Sequence, residues 1–301
     1  MKKSFLVLLT FVFVLVAFQA FAEDWEKYSE PVATKITVRV LAHGAAAMSQ
    51  HTGALVVIRN ARTGEELDKG VAQGSSGDYV ALMKAGYPRG SGNMGLAKGK
   101  KGALFGNMTS STPSIYESKT DAAVFVTEIK ISKPTQILVE AYGPLMPQHS
   151  MSSTMTSFWL FPGEDIQGEG IVLELRGLIL DVADSMRGKE IKAADYKDGV
   201  KVPFYLRMMC GCPIAPNNRT LWPAEGFKIT TQAYYKGKLY HEASVTSDKI
   251  FKDTSFFETT VPLPKDLSAA GDKERIKVRV MASQPDQNNT GIDEFDLFLM
   301  K

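Results

Sequence analysis

The sequence predicts an all-β protein, built as two β-sandwich domains behind a cleavable signal peptide. Three observations predict it. Apolar and polar residues alternate with period two along most of the chain. The 25 glycines and 14 prolines among 301 residues cut that alternation into short runs. No window of a dozen residues carries the 3.6-residue apolar stripe of an amphipathic helix.

The elements follow in chain order. Lys2 and Lys3 precede an apolar run from Phe5 to Phe18 that only Thr10 interrupts, and Ala20-Phe21-Ala22 is a small-x-small cleavage site. Residues 1–22 are therefore expected to be removed, placing the protein in the periplasm or outside the cell. The apolar run is shorter than the roughly 20 residues a membrane span needs, and no later segment is long and apolar enough, so no transmembrane segment is expected in the mature chain. Cleavage leaves roughly 280 residues, enough for two domains of ordinary size. It takes away Lys2 and Lys3 but no acid, so 33 cations then balance 33 acids. That neutrality excludes nucleic acid as the expected partner.

In the first domain, 23–184, strand patterns cover Ile36 to Val40, Leu55 to Ile58, Tyr79 to Met83, Ala123 to Ile131, Thr135 to Tyr142, Ser157 to Phe161, Ile171 to Leu175 and Leu178 to Val182, with Gly177 as a bend. The polar stretch 185–199 reads as a linker. The second domain, 200–301, holds strand patterns over Val200 to Met209, Phe227 to Tyr235, Lys238 to Ser244, Ser255 to Leu263, Arg275 to Ala282 and Glu294 to Met300. Tyr235-Lys236-Gly237-Lys238 is a tight hairpin turn. Six or seven strands over about 100 residues suit an immunoglobulin-like sandwich in architecture, without the Cys-Trp-Cys spacing of antibody domains.

Gly53-Ala54-Leu55-Val56-Val57-Ile58, followed by Thr63-Gly64-Glu65 and Gly70, resembles the opening of transthyretin-like or carboxypeptidase-regulatory-like sandwich modules. The resemblance covers about 35 residues. It implies a small β-sandwich of accessory or binding role and carries no catalytic residue across.

Between Lys84 and Ile115 lie seven glycines and five cations (Lys84, Arg89, Lys98, Lys100, Lys101) with no acid. Such an insertion, 84–115, reads as a solvated loop or as an anion-recognising arm in which Lys98, Lys100 and Lys101 are the candidate contacts.

Motifs of catalysis are missing. The chain has no G-x-S-x-G elbow, no H-E-x-x-H pair and no G-x-x-x-x-G-K-[ST] loop, and Gly90-Ser91-Gly92 lacks a strand-to-helix context. The chemistry worth weighing is sulfur. Cys210 and Cys212 share one face of an extended strand, about 6.5–7 Å apart between Cα atoms, so a bend at Gly211 is needed to bond them. Three readings stand: a disulfide staple, an exchanging redox pair, or a copper site in which Met208 or Met209 adds a thioether. A weaker metal candidate combines Met146, His149 and Met151, and a third stretch holds His43, Met48 and His51 on a loop, where each histidine reads as a surface or capping group. The aromatics, Phe158-Trp159 among them, read as core, with Tyr235 and Tyr240 as the pair nominated for a sugar platform. The expected function is that of a non-enzymatic binding or accessory protein presenting loops to a protein or cell-surface partner. Copper handling and thiol–disulfide exchange are the alternatives.

Overall fold

A computed structural model describes residues 30–49, 52–75, 122–265 and 273–300. The expected signal peptide, the expected strand 79–83, His51 and the insertion with Lys98, Lys100 and Lys101 lie outside these residues.

The described chain is all-β; its helices are 3-10 turns of three or four residues. Strand β1 (Val32–Ala42) pairs antiparallel with β4 (Phe125–Ile131) and parallel with β7 (Ile166–Leu175), giving the order β4-β1-β7. A second sheet runs β3-β2-β5-β6, from β2 (Leu55–Asn60), β3 (Glu66–Val71), β5 (Thr135–Gly143) and β6 (Ser152–Leu160). The two sheets face each other. Ile36, Val38 and Val40 of β1 meet Val56, Ile58, Ile137 and Val139 in a core closed to solvent. Each such side chain contributes roughly 1.5–3 kcal/mol by leaving water. At the β3–β4 side the sheets approach so closely that a Cβ on Gly70 would lie 2.4 Å from the Phe125 ring. On the same side, isolated bridges join Gln73 to Val124 and Ser75 to Ala122.

From Leu178 on, strands pair only with one another. β8 (Leu178–Val182), β10 (Val200–Met208), β15 (Phe251–Asp253) and β16 (Phe256–Val261) form one sheet, ordered β15-β16-β10-β8. Its partner contains β9 (Lys189–Lys192), β13 (Lys228–Tyr235), β14 (Lys238–Thr246), β17 (Lys273–Gln284) and β18 (Asn289–Met300), ordered β14-β13-β17-β18-β9. A two-stranded parallel piece, β11 (Ile214–Ala215) with β12 (Trp222–Pro223), completes the set. Phe204 and Phe257 stack at 5.8 Å in the core here.

Several expectations shift. Pairing changes hands at Arg176-Gly177, where Gly177 takes φ +142°. The stretch 185–199, expected as a linker, contributes β9, which runs parallel to β18. Ser152–Thr156 belongs to β6 although its serines and threonines hide the alternation. The turn at Lys236-Gly237 is as expected, with both residues at positive φ (51° and 75°), the geometry that lets a two-residue hairpin follow the strand twist.

Candidate functional site

The Cys210–Cys212 corner is built by the end of β10. The Gly211 amide donates to the Met208 carbonyl at 2.8 Å and the Met208 amide to the Cys212 carbonyl at 3.1 Å, so the chain curls into a tight turn. Gly211 supplies the left-handed φ of +80°. The turn brings the two Cα atoms to 5.3 Å and the sulfurs are bonded as a disulfide. Both cysteines, Met208 and Met209 are buried. A Cβ on Gly211 would stand 3.0 Å from the Thr52 methyl, and one on Gly177 would stand 3.3 Å from the Met209 sulfur. The corner thus packs where the two sets of sheets meet. A bonded pair presents no thiolate, so these residues as they stand do not offer Cu(I) a two-thiolate site.

His149 is parted from the thioethers expected beside it. Met146 and Met151 point to solvent, while the His149 ring turns to β8 and β18. Its Nε2 lies 2.8 Å from the Leu180 carbonyl, 3.6 Å from Asp293 and 3.8 Å from Asp181. Ligand atoms of these three residues lie within 4.8 Å of one another, a spacing a metal could bridge. Arg187 already holds that place. Its guanidinium reaches the buried Asp293 carboxylate at 2.6 and 3.2 Å, and the Val182 amide donates to the same carboxylate at 2.7 Å. The Asp293 carboxylate in turn raises the guanidinium above its ordinary pKa, first through the hydrogen bond. The cluster is a clamp that pins the 144–151 loop to β8 and β18. Its sequence signal was an aspartate in the core-facing register of β18, whose inward neighbours are Phe295, Leu297 and Leu299.

His43 is a further correction, being buried and not a surface group. Arg176 donates to its Nε2 at 3.0 Å, which leaves the proton on Nδ1 to be donated to Glu174 at 3.0 Å. Around this triad the loop after β1 is held by residues far along the chain. Trp222 donates its indole N–H to the Gly44 carbonyl at 3.1 Å, and the Asn289 amide donates to the His43 carbonyl at 3.2 Å.

Sequence reasoning missed the groove between β6 and β7. Each of these strands ends its sheet on the same side, with no further strand paired to it among the described residues. The groove has a volume of about 590 Å³ and is lined by Thr154, Thr156 and Phe158 of β6 and by Ile171, Leu173 and Glu174 of β7. On the outer side of β6, Met155 and Trp159 are 62% and 49% exposed, and Phe161 just beyond the strand is 51% exposed. Trp159 is therefore no core residue. The aromatic pair nominated for sugars is less open: the Tyr240 hydroxyl donates to the Pro262 carbonyl, its burial pushes the phenol above the usual range, and the Tyr235 hydroxyl is enclosed.

No family model matches this chain, and no curated protein matches it. Among the described residues, no helix is long and apolar enough to cross a membrane.

Proposed function

We propose that this chain is an exported, non-enzymatic binding or accessory protein of the periplasm or cell exterior. It is built as two immunoglobulin-like sandwich domains that meet at Arg176-Gly177, and it presents the β6 side of its first domain to a protein partner. One observation carries the reading: Met155, Trp159 and Phe161 form an exposed apolar strip beside an open groove. Large apolar side chains aligned on one strand are a common mark of an interaction surface. The junction supports it too, because Arg176 bonds the Gln287 carbonyl, Trp222 and Asn289 bond the carbonyls of Gly44 and His43, and His149 bonds the Leu180 carbonyl, all four joining the two halves. The copper and thiol-exchange readings have less behind them, since the cysteine sulfurs are bonded to each other and enclosed.

Hydroxyl-radical footprinting tests the proposal. Oxidation of Met155 and Trp159 is measured on the purified protein and again after mixing with the native envelope fraction. Protection of both residues by at least about threefold, with Met146 unchanged, is expected on burial at an interface. Equal oxidation in the two samples would sink it.

A further inference from the structure

The groove and the composition of β6 together say what kind of partner fits. An edge strand offers a row of unpaired backbone N–H and C=O groups, and soluble proteins blunt such edges with charges, prolines or bulges. The nine residues of β6, Ser152 to Leu160, contain no charged residue and no proline, and their pairing to β5 runs without a register shift. Among the described residues the edge is long, regular and undefended. Its inward side chains are Thr154, Thr156 and Phe158, so the adjoining wall is part polar and part apolar, and Ile171 and Leu173 of the facing sheet complete it.

Charge marks one end of this edge. Where β6 turns into β7, Glu164 and Asp165 are exposed, and Glu169 follows on the bulged start of β7. Neither Glu164 nor Glu169 has an ion-pair partner among the described residues. At the other end of the groove, Glu174 and Arg176 compensate each other through His43. Antiparallel pairing is the slightly more stable arrangement per residue, and a strand laid antiparallel to β6 has its N-terminal end beside Leu160 and therefore beside this acidic turn.

The geometry points to addition of an extended polypeptide strand from a partner protein along β6, antiparallel to it, with a basic residue at its N-terminal end. Alternate side chains of that strand face Thr154, Thr156 and Phe158, and main-chain hydrogen bonds supply the affinity. A second copy of this chain fits poorly in the same place: the residues just before its own β6, from 146 to 151, hold no lysine or arginine for the acidic turn. The inference rests on the binding reading above and names the partner's chemistry.

The test places the perturbation in the ligand, so that no variant need fold. The probe is a labelled, acetylated and amidated octapeptide with lysine first, followed by alternating valine and threonine, titrated into the full chain by fluorescence anisotropy. Two further peptides carry N-methyl groups on alternate residues, one on each parity. Binding is expected, with amide-exchange protection along Ser152–Leu160. One parity of N-methylation should weaken it by about tenfold or more and the other should leave it unchanged, since only one set of N–H groups faces β6. Replacing the leading lysine by glutamate should cost about threefold, an exposed charge effect. Absence of binding at millimolar peptide, or equal effects of both parities, overturns strand addition. Light scattering that finds a dimer with β6 protected in the absence of peptide overturns it as well, in favour of a second copy. If footprinting still shows Trp159 protected by the native fraction, the binding reading survives the loss of this one.

Discussion

Asp293→Ala should destabilise the protein more than any surface substitution, and the structure says by how much. The Asp293 side chain is 2% exposed and accepts three hydrogen bonds, one from the Val182 amide and two from Arg187. Removing the carboxylate leaves the Val182 N–H buried without an acceptor, which costs about 1–3 kcal/mol. Arg187 loses two charge-assisted bonds, but its side chain is 35% exposed and regains water, so that part adds only about 1 kcal/mol. The sum is about 3 kcal/mol. Asp293→Asn keeps an acceptor for one partner and should cost about half as much. Arg187→Met leaves a buried carboxylate with one backbone donor and should cost about 3 kcal/mol. Urea unfolding at neutral pH reads all three, and the double variant completes a cycle whose coupling should be about 2 kcal/mol. A cost below about 1 kcal/mol for Asp293→Ala, or a coupling near zero, would show that the clamp is not what holds the 144–151 loop to β8 and β18.

Four other outcomes follow from the same structure. Gly170→Ala, at φ +70° with its new Cβ 2.3 Å from the Thr37 carbonyl, should cost about 3 kcal/mol or more, whereas Gly168→Ala, at the same φ with open space around it, should cost only about 1 kcal/mol; equal melting points for the two would refute the close approach of β1 and β7. The Cys210–Cys212 bond spans a sequence separation of 2, so replacing both residues by alanine should cost about 1.6 kcal/mol in loop entropy, and a loss above about 4 kcal/mol would mean the bond does more than close a turn. Hydrogen bonds from Lys277 and then Arg279 hold the Glu294 carboxyl below the usual range, so its contribution is present above about pH 4.3 and is lost as pH falls through the lowered folded value. Glu294 is about a third exposed, hence Glu294→Gln should flatten the acid limb of a stability–pH curve by only a few tenths of a kcal/mol, and an unchanged limb would count against the pairing. Cleavage after Ala22 is expected to give an intact mass beginning at Glu23; a form retaining Met1 would exclude it.

The parts of the fold legible in the sequence are those where one face meets the core and the other meets water. Thr135 to Tyr142 alternates because it sits in that position, while Ile36 to Val40 alternates in sequence although Thr37 and Arg39 are buried as well, and both became strands. Ser152–Thr156 did not read as strand because the inward side chains of β6 line an open groove and need not be apolar. That same openness is what makes β6 a candidate site, so the signal lost for structure is the one gained for function. The short β9 was hidden because only Ile191 of its four residues is buried. At the cysteines the spacing gave the need for a bend at Gly211, and the turn supplies it. The clamp and the triad were not readable, since Asp293 with Arg187, and His43 with Arg176, are joined only by the packing of strands over a hundred residues apart.

That separation has a consequence for how the chain comes into being. The loop after β1 is bonded by Trp222, 178 residues away in sequence, and by Asn289, 246 residues away. A chain made from its N-terminus at about 5–20 residues per second delivers Asn289 roughly 10–50 s after His43. In that interval β1 can already find β4 and β7 and Trp222 can reach the Gly44 carbonyl, while the His43 carbonyl has only water to bond. The first half thus waits, folded but with one end uncovered, until the last strand arrives. A chain cut short before Asn289 keeps that end open for good, with the Gly177 amide and the His43 carbonyl both left unpaired, and it is this end that a protease or chaperone would find first.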